Sequence, residues 1–131
     1  LKNLKFPLEG GGKAKKSFMH TDDLSEAIIK ILFSSKNGQI YNAGVQKPIT
    51  MKEIIIEVSK YLELDFKDFV KIAPGRKTVD NQYWIDSSKI KKHLGWEPRI
   101  SLKDGIIETG EWVKNNFDEL IKEPMTFTLR A

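Results

Sequence analysis

Apolar residues recur at helical spacing in two segments of the first half of the chain. In the first segment they fall at the i, i+3, i+4, i+7, i+8 positions of one helical face: Leu24, Ala27, Ile28, Ile31 and Leu32. Asp23 is placed to cap this helix, with Glu26 three residues later. The sequence Thr50-Met-Lys-Glu53 is a capping box that opens a second helix, whose inward positions are Met51, Ile54, Ile55, Val58, Tyr61 and Leu62.

The second half predicts two more helices with their own start and stop signals. Asp86 can cap a short helix with Ile90 and Leu94 on its core side, and Gly95 supplies a left-handed stop. Ser101 opens the last helix, which should run to about Lys122, before Pro124. Its inward positions are Leu102, Ile106, Val113, Phe117 and Leu120.

Short β-strands are predicted between these helices. The segment "KFPLEGGG" is turn-rich, "SFMHT" alternates apolar and polar residues, "NGQIYNAG" indicates a short buried strand, and "FVKIAP" indicates a third. The alternation of strands and helices predicts an α/β fold with an incomplete sheet and flanking helices. We expect some strands to need neighbours outside this chain, since an open strand edge tends to pair with another copy or domain.

Composition narrows the class of protein. The chain has 131 residues, of which 40% are hydrophobic, and it contains no cysteine. It is therefore long enough for a real core and has neither a disulfide framework nor a thiolate site, so we expect a cytoplasmic protein without a membrane span. Leu1 is not preceded by a methionine, which leads us to expect a portion of a longer chain.

The net charge of +4 favours anionic partners, but the lysines are spread along the chain. Charge alone does not distinguish a nucleic acid from a small phosphate ligand. Aromatic residues do not interleave with the basic segments as in single-strand binders.

Most catalytic patterns are missing from the sequence. Gly10-Gly-Gly12 precedes lysines and is interpreted as a turn, because no Gly-x-Gly-x-x-Gly joins a strand to a helix. His20 and His93 lack carboxylates at metal-ligand spacing, so structural roles are favoured. The adjacent Asp22 and Asp23 suit the positive end of a helix dipole.

Binding chemistry for an anion remains. Lys15, Lys16 and Arg76 lie in or beside predicted loops, where a rigid scaffold can present them to a ligand. Arginine can bind a pyrophosphate through two parallel hydrogen bonds, whereas lysine contributes a less directional charge.

Three segments in a fixed order resemble one enzyme family. They are "PLEGGGKAKKSFMHTDDLSEAI", "GQIYNAG" and "GRKTVDNQYWIDSSKIKKHLGWEPRISLKDGIIETGEWV", and together they cover about residues 5 to 117. In order and spacing they resemble the extended short-chain dehydrogenase/reductase (SDR) family, with the nucleotide-sugar 4,6-dehydratases as the most similar members and the UDP-sugar 4-epimerases next.

The resemblance implies an enzyme with an N-terminal NAD-binding Rossmann domain and a C-terminal portion that binds a nucleoside-diphosphate sugar. In that family a Tyr-x-x-x-Lys pair helps to move hydride between sugar and NAD. Tyr61 and Tyr83 have no lysine four residues later, so this chain has no catalytic residue of its own and should be inactive alone. Residues 1–123 would form the substrate-binding portion, including the last Rossmann helix and strand at about 21–44, and 124–131 a tail. The whole enzyme would be a cytoplasmic lyase or isomerase and a homodimer, with no nucleic-acid or membrane partner.

The resemblance also assigns binding roles to individual residues. Arg76 matches an arginine that binds the substrate pyrophosphate, and Lys16 stands where a second arginine contacts the phosphate or ribose, with Lys15 as an alternative. Asn42 matches an asparagine that contacts the nucleotide, while Phe6 and Leu8 would lie against the base.

Other matched positions carry structural roles or depart from the pattern. Val79 replaces a histidine common in the dehydratases, and Asp80 would orient Arg76. Trp84 and Trp96 are expected to pack in the core.

Two further hypotheses stay open at this point. The chain could be a non-enzymatic module derived from that family, which binds a nucleotide or a partner chain without turnover. It could also bind nucleic acid, a hypothesis that rests on charge alone and predicts a steep salt dependence.

Overall fold

A computed structural model describes residues 5–34, 38–75 and 81–122. The described residues form five short strands, β1 (Phe6–Glu9), β2 (Lys15–Lys16), β3 (Ile49–Thr50), β4 (Val70–Ala73) and β5 (Gln82–Tyr83). Six helices accompany them, α1 (Thr21–Leu32), α2 (Met51–Tyr61), α3 (Phe66–Phe69), α4 (Ser88–Leu94), α5 (Leu102–Asn115) and α6 (Phe117–Leu120). The prediction of an α/β fold with an incomplete sheet and flanking helices is confirmed, and the described strands form small sheets.

The strands make two small sheets. Strand β1 runs parallel to β4, with Leu8 opposite Ile72, and β2 lies between β3 and β5, antiparallel to the first and parallel to the second. Strand β1 was not predicted, because Pro7 and the glycines that follow suggested a turn. A proline is tolerated there since each strand of a two-stranded sheet is an edge.

Two strand predictions are wrong within this chain. Residues 17–20 and 39–45 form no strand, and Ile40, expected to be buried, is 83% exposed. A strand needs a hydrogen-bonded neighbour, and the sequence pattern of one segment cannot show whether the chain supplies it.

The start and stop signals of several helices are confirmed. The Thr50 hydroxyl accepts a hydrogen bond from the Glu53 backbone N–H, while Glu53 accepts one from the Thr50 backbone N–H, which completes the capping box of α2. Ser101 caps α5, and Gly95 ends α4 with a φ of 62°. Asp86 accepts from the backbone N–H of Ser88 at 2.9 Å, although the capping position itself belongs to Ser87.

The start of α1 differs from the prediction. His20 occupies the capping position, and its Nδ1 accepts a hydrogen bond from the Asp22 N–H. Asp23 is 3% exposed and does not cap the helix. Its carboxylate accepts hydrogen bonds from the backbone N–H groups of Arg99 and Ile100, both at 3.0 Å, and thereby ties α1 to the chain before α5.

The last helix is interrupted at Asn116, so that α5 and α6 replace the one continuous helix predicted to reach Lys122. Asn116 has a φ of −112° and its side chain donates to the Trp112 carbonyl. An asparagine that bonds backbone in this way competes with helix continuation.

Two hydrophobic clusters hold the described residues together. The first joins Leu8, Ile55 and Val70, and the second joins Ala27, Ile90 and Trp96. Trp96 is 1% exposed, as expected of a packing residue, whereas Trp84 is 47% exposed and its predicted packing role is wrong within this chain. The first cluster places a buried floor directly beneath β1.

Candidate functional site

Two cavities lined by described residues are candidates for a ligand site. The larger, of about 700 Å³, lies between α2 and α5 and its lining is mainly apolar, with Phe18, Ile54, Val58, Leu102, Ile106 and Phe117 among its residues. The smaller, of about 550 Å³, combines apolar residues with lysines. We place the candidate site in the smaller cavity, because an anionic ligand needs the cations that it offers.

The smaller cavity brings together three of the residues chosen from the sequence. Phe6, Leu8 and Lys16 all line it. The other lining residues are Pro7, Glu9, Gly10, Lys13, Ala14, Met51, Gly75 and Asn81. Residues that are distant in sequence meet here because β1 pairs with β4 and β2 pairs with β5.

A tight glycine turn forms one wall. Gly10, Gly11 and Gly12 form a tight turn in which all three have positive φ, a region that favours glycine. A side-chain carbon on Gly75 would lie 3.2 Å from the Cα of Gly10, so the two backbones touch. This contact holds the chain that follows β4 against the turn.

The apolar part of the site is built on β1. Leu8 is 2% exposed and belongs to the first hydrophobic cluster, whereas Phe6 is 38% exposed. The Phe6 ring stacks on Phe69 of α3, with ring centroids 6.3 Å apart. The site therefore has a packed floor and one partly open aromatic ring.

The two lysines of β2 have different surroundings. Successive side chains of a strand point to opposite faces, and of this pair only Lys16 lines the cavity. The charge of Lys15 instead acts on Glu53. The pKa of the Glu53 carboxyl lies below its ordinary value, chiefly because the Thr50 hydroxyl and backbone donate hydrogen bonds to it, with smaller contributions from the charges of Lys15 and Lys47. Lys15 thus lies with the capping box of α2, which leaves Lys16 as the cation of β2 at the site.

The remaining predicted site residues are not brought to this cavity. Asn42 is exposed and is not among the lining residues; beside it, the hydroxyl of Tyr41 lies 3.4 Å from His93 Nδ1. Arg76, Val79 and Asp80 lie outside the described residues. The roles of Asn42 and Arg76 stay predictions.

The glycine turn does not fit the pyrophosphate of NAD. A dinucleotide cradle needs a helix that begins at the glycines, since its N-terminal N–H groups bind the phosphates. Here the turn leads through Lys13 into strand β2. No step of NAD chemistry is derived from these residues.

Residues 5–34, 38–75 and 81–122 contain neither a metal-ligating cluster nor a membrane-spanning helix. No group of three His, Asp or Glu side chains in these ranges could hold a metal ion. No helix in them is long and apolar enough to cross a membrane.

Sequence reasoning did not choose Lys13 and Asn81, which both line the cavity. Lys13 directly follows the glycine turn, and that position could have indicated it. Asn81 is placed by its carbonyl, which accepts a hydrogen bond from the Lys15 N–H at 2.9 Å. Nothing in the local sequence signals this pairing across 65 residues of chain.

Comparison with known proteins identifies the family. The family model described as GDP-mannose 4,6 dehydratase matches residues 1–109. A dTDP-glucose 4,6-dehydratase from Streptomyces niveus is 31% identical over 110 residues, which cover 84% of this chain and 32% of the relative. The human dTDP-D-glucose 4,6-dehydratase is 31% identical over 120 residues, covering 88% of this chain and 34% of the relative. This chain therefore spans about a third of the length of these relatives.

Solved structures show the same fold. The Streptomyces venezuelae dTDP-glucose 4,6-dehydratase with NAD and TYD bound has a TM-score of 0.78 at 30% identity, over 88% of this chain and 35% of that one. The Bacillus anthracis enzyme in complex with NAD has a TM-score of 0.78 at 28% identity, over 87% and 36% of the two chains. UDP-glucose 4-epimerase from Thermotoga maritima, at 22% identity and a TM-score of 0.80 over 88% and 37%, shares the fold.

These findings confirm the resemblance seen in the ordered motifs, and NAD is the cofactor of the family. A family model that matches residues 1–109 covers most of the chain, including the glycine turn and β2. The chain belongs to the GDP-mannose 4,6 dehydratase family, a group of NAD-dependent nucleotide-sugar dehydratases and epimerases within the extended SDRs.

Proposed function

We propose that this chain is the nucleotide-sugar-binding C-terminal portion of an NAD-dependent nucleotide-sugar epimerase or dehydratase. The observation that carries the proposal is the cavity of about 550 Å³ that Phe6, Leu8 and Lys16 line together. The family motifs alone predict binding roles for these three residues. Their meeting at one cavity supports a common ligand.

The chemistry of the lining suits the two ends of a nucleoside diphosphate. The partly exposed Phe6 ring and the apolar edge of β1 offer a surface for a planar base. Lys16 offers a positive charge for phosphate, and its ammonium has no ion pair with a described residue. Gly75 lines the cavity, and Arg76 directly follows it in the chain. We therefore assign the binding of the pyrophosphate to Arg76.

The chemical step belongs to the rest of the parent enzyme in this proposal. The N-terminal portion of the parent would supply the NAD site and the Tyr-x-x-x-Lys pair, and residues 1–123 would supply the substrate site, with 124–131 as a tail. The chain alone would then be inactive. NAD, when bound to the parent, would accept and return the sugar's hydride.

The parent enzyme would be a lyase if it dehydrates the sugar and an isomerase if it epimerises it. We further propose that it is a cytoplasmic homodimer. The lack of cysteine in all 131 residues supports the cytoplasm, where disulfides are rare. Size-exclusion chromatography with light scattering tests the dimer.

The role of Arg76 can be tested by titration of the parent enzyme with dTDP and with UDP. If Arg76 binds a desolvated pyrophosphate, Arg76→Ala should weaken binding by about 2 kcal/mol or more, roughly thirtyfold, because truncation leaves a buried charge unpaired. Isothermal titration calorimetry provides the measurement.

The matched control is Arg99→Ala. Arg99 is also an arginine, but its guanidinium pairs with Glu26 of α1 and it does not line the cavity. Equal affinity of the Arg76 and Arg99 variants would remove the assigned role of Arg76. A parent enzyme that binds neither of these diphosphates, nor GDP, would overturn the proposed function as a whole.

A non-catalytic module of the same family is the second candidate. The sequence that precedes Leu1 in the parent distinguishes the two. A glycine-rich cofactor loop and Tyr-x-x-x-Lys there would support the enzyme, and their absence would support the module.

A further inference from the structure

We propose that Lys13 is a second phosphate-binding residue of this site and acts together with Lys16 on the diphosphate. The inference rests on the proposed function and assigns a role to a residue that the family motifs did not single out. Both lysines line the same cavity. Neither side-chain ammonium has a hydrogen bond or ion pair with a residue in the described part of the chain.

The backbone fixes the position of Lys13. It directly follows Gly12, which is buried and has a φ of 69°. A side-chain carbon on Gly12 would lie 2.8 Å from both Leu8 Cδ1 and the Lys52 backbone nitrogen, so the turn is packed against β1 and the start of α2. Lys13 therefore directly follows a turn whose backbone is fixed by tight packing.

The residues after Lys13 are held on both sides. The Ala14 carbonyl accepts a hydrogen bond from Met51 N–H at 3.0 Å, and Lys15 N–H donates to the Asn81 carbonyl at 2.9 Å. These bonds join the segment to α2 on one side and to β5 on the other. The backbone that carries Lys13 and Lys16 is thus pre-organised, which lowers the entropic cost of ligand binding.

A diphosphate site also needs more than one positive charge. Lysine at position 16 is a point charge and lacks the planar fork with which arginine binds two phosphate oxygens. A diphosphate carries more oxygens and more charge than one ammonium group can neutralise. Lys13 supplies a second charge, so it should favour diphosphates over monophosphates.

The experiment is a titration of the parent enzyme with dTDP and UDP and, separately, with dTMP and UMP. The variants are Lys13→Ala, Lys13→Arg and the control Lys15→Ala, which removes a lysine of the same segment that does not line the cavity. Loss of a charge-assisted hydrogen bond should weaken diphosphate binding about tenfold in Lys13→Ala. Monophosphate binding should fall less than threefold, and Lys13→Arg should keep most of the affinity.

The outcomes distinguish a failure of the Lys13 assignment from a failure of the proposed function. Wild-type binding of diphosphates with a tenfold loss in Lys13→Ala and little change in Lys15→Ala supports the assignment. Wild-type binding with the same affinity in Lys13→Ala and Lys15→Ala overturns the role of Lys13 and leaves the proposed function intact. An equal loss for monophosphates and diphosphates overturns the diphosphate selectivity assigned to Lys13. Failure of the wild-type enzyme to bind any of the four nucleotides, or GDP, overturns the proposed function.

Discussion

At the scale of single residues, Gly12 connects the fold to the site. Its positive φ and its contacts with Leu8 and the Lys52 nitrogen leave no space for a side chain. Gly11 has nearly the same φ, 66° against 69°, but a side-chain carbon there would meet nothing within 4 Å. The two glycines therefore share one kind of backbone strain and differ in packing.

This difference gives a matched pair of variants. Left-handed backbone costs a non-glycine residue roughly 1–2 kcal/mol, so Gly11→Ala and Gly12→Ala should both lose about that much. Gly12→Ala must also displace Leu8 or the start of α2, and we expect a further loss of about 1–3 kcal/mol from overpacking. Thermal and denaturant unfolding of the parent enzyme measure the difference. Equal losses in the two variants would contradict the packing described for Gly12.

Residues whose role is local were predictable, and residues with distant partners were not. Thr50 and Glu53 form their capping box within four residues of chain, so the motif alone indicated it. Asp23 binds the N–H groups of Arg99 and Ile100. Local pattern offered only a helix cap for this carboxylate, because its true partners lie more than 70 residues away.

At the scale of elements, α2 and α5 meet through an aromatic contact. A side-chain carbon on Gly110 of α5 would lie 2.2 Å from Cε1 of Tyr61, at the end of α2. The Tyr61 hydroxyl donates to Glu111 at 2.6 Å, and the Lys114 ammonium lies 4.8 Å from the ring centroid. The pKa of Glu111 is lowered, first by the hydrogen bond from Tyr61 and then by the one from Lys114. Because Gly110 has no side chain, it leaves the space that the Tyr61 ring occupies.

A double-mutant cycle tests this contact. Gly110→Ala should destabilise the protein by about 1–3 kcal/mol when Tyr61 is present, because the ring is pushed out of its place. In a Tyr61→Ala background the same change should stabilise by up to about 1 kcal/mol, since alanine is the better helix former. Unfolding free energies of the four proteins give the coupling. A change of the same sign and size in both backgrounds would contradict the packing of Tyr61 on Gly110.

Helices were predicted more successfully than strands for a physical reason. A helix forms its hydrogen bonds within itself, so periodicity and caps contain most of the signal. Strands depend on partners, and β2 and β5 are two residues each. The candidate site was equally hard to predict, because Lys16 and Asn81 come to the same cavity through the pairing of β2 with β5. Family motifs predicted Phe6, Leu8 and Lys16, whereas Lys13 needed the geometry of the turn.

At the scale of the whole molecule, one side of α1 is left without a partner in the described residues. Leu24 is 42% exposed, Ile28 56% and Leu32 72%, and Phe33 just beyond the helix is 81% exposed. Exposed apolar side chains grouped on one helix face are typical of an interface. In the proposed parent enzyme, α1 and the residues around Ile40 would complete the Rossmann domain, which would cover this face and give the segment 39–45 the neighbouring strand that it lacks here.

A crystal structure of the parent enzyme with dTDP or UDP tests the proposed nucleotide site most directly. The diphosphate should lie in the cavity between the Gly10–Gly12 turn and β5, with phosphate oxygens within about 3.2 Å of the ammonium groups of Lys13 and Lys16. A diphosphate bound elsewhere, with this cavity filled only by solvent, would contradict the assignment of the nucleotide site to this chain.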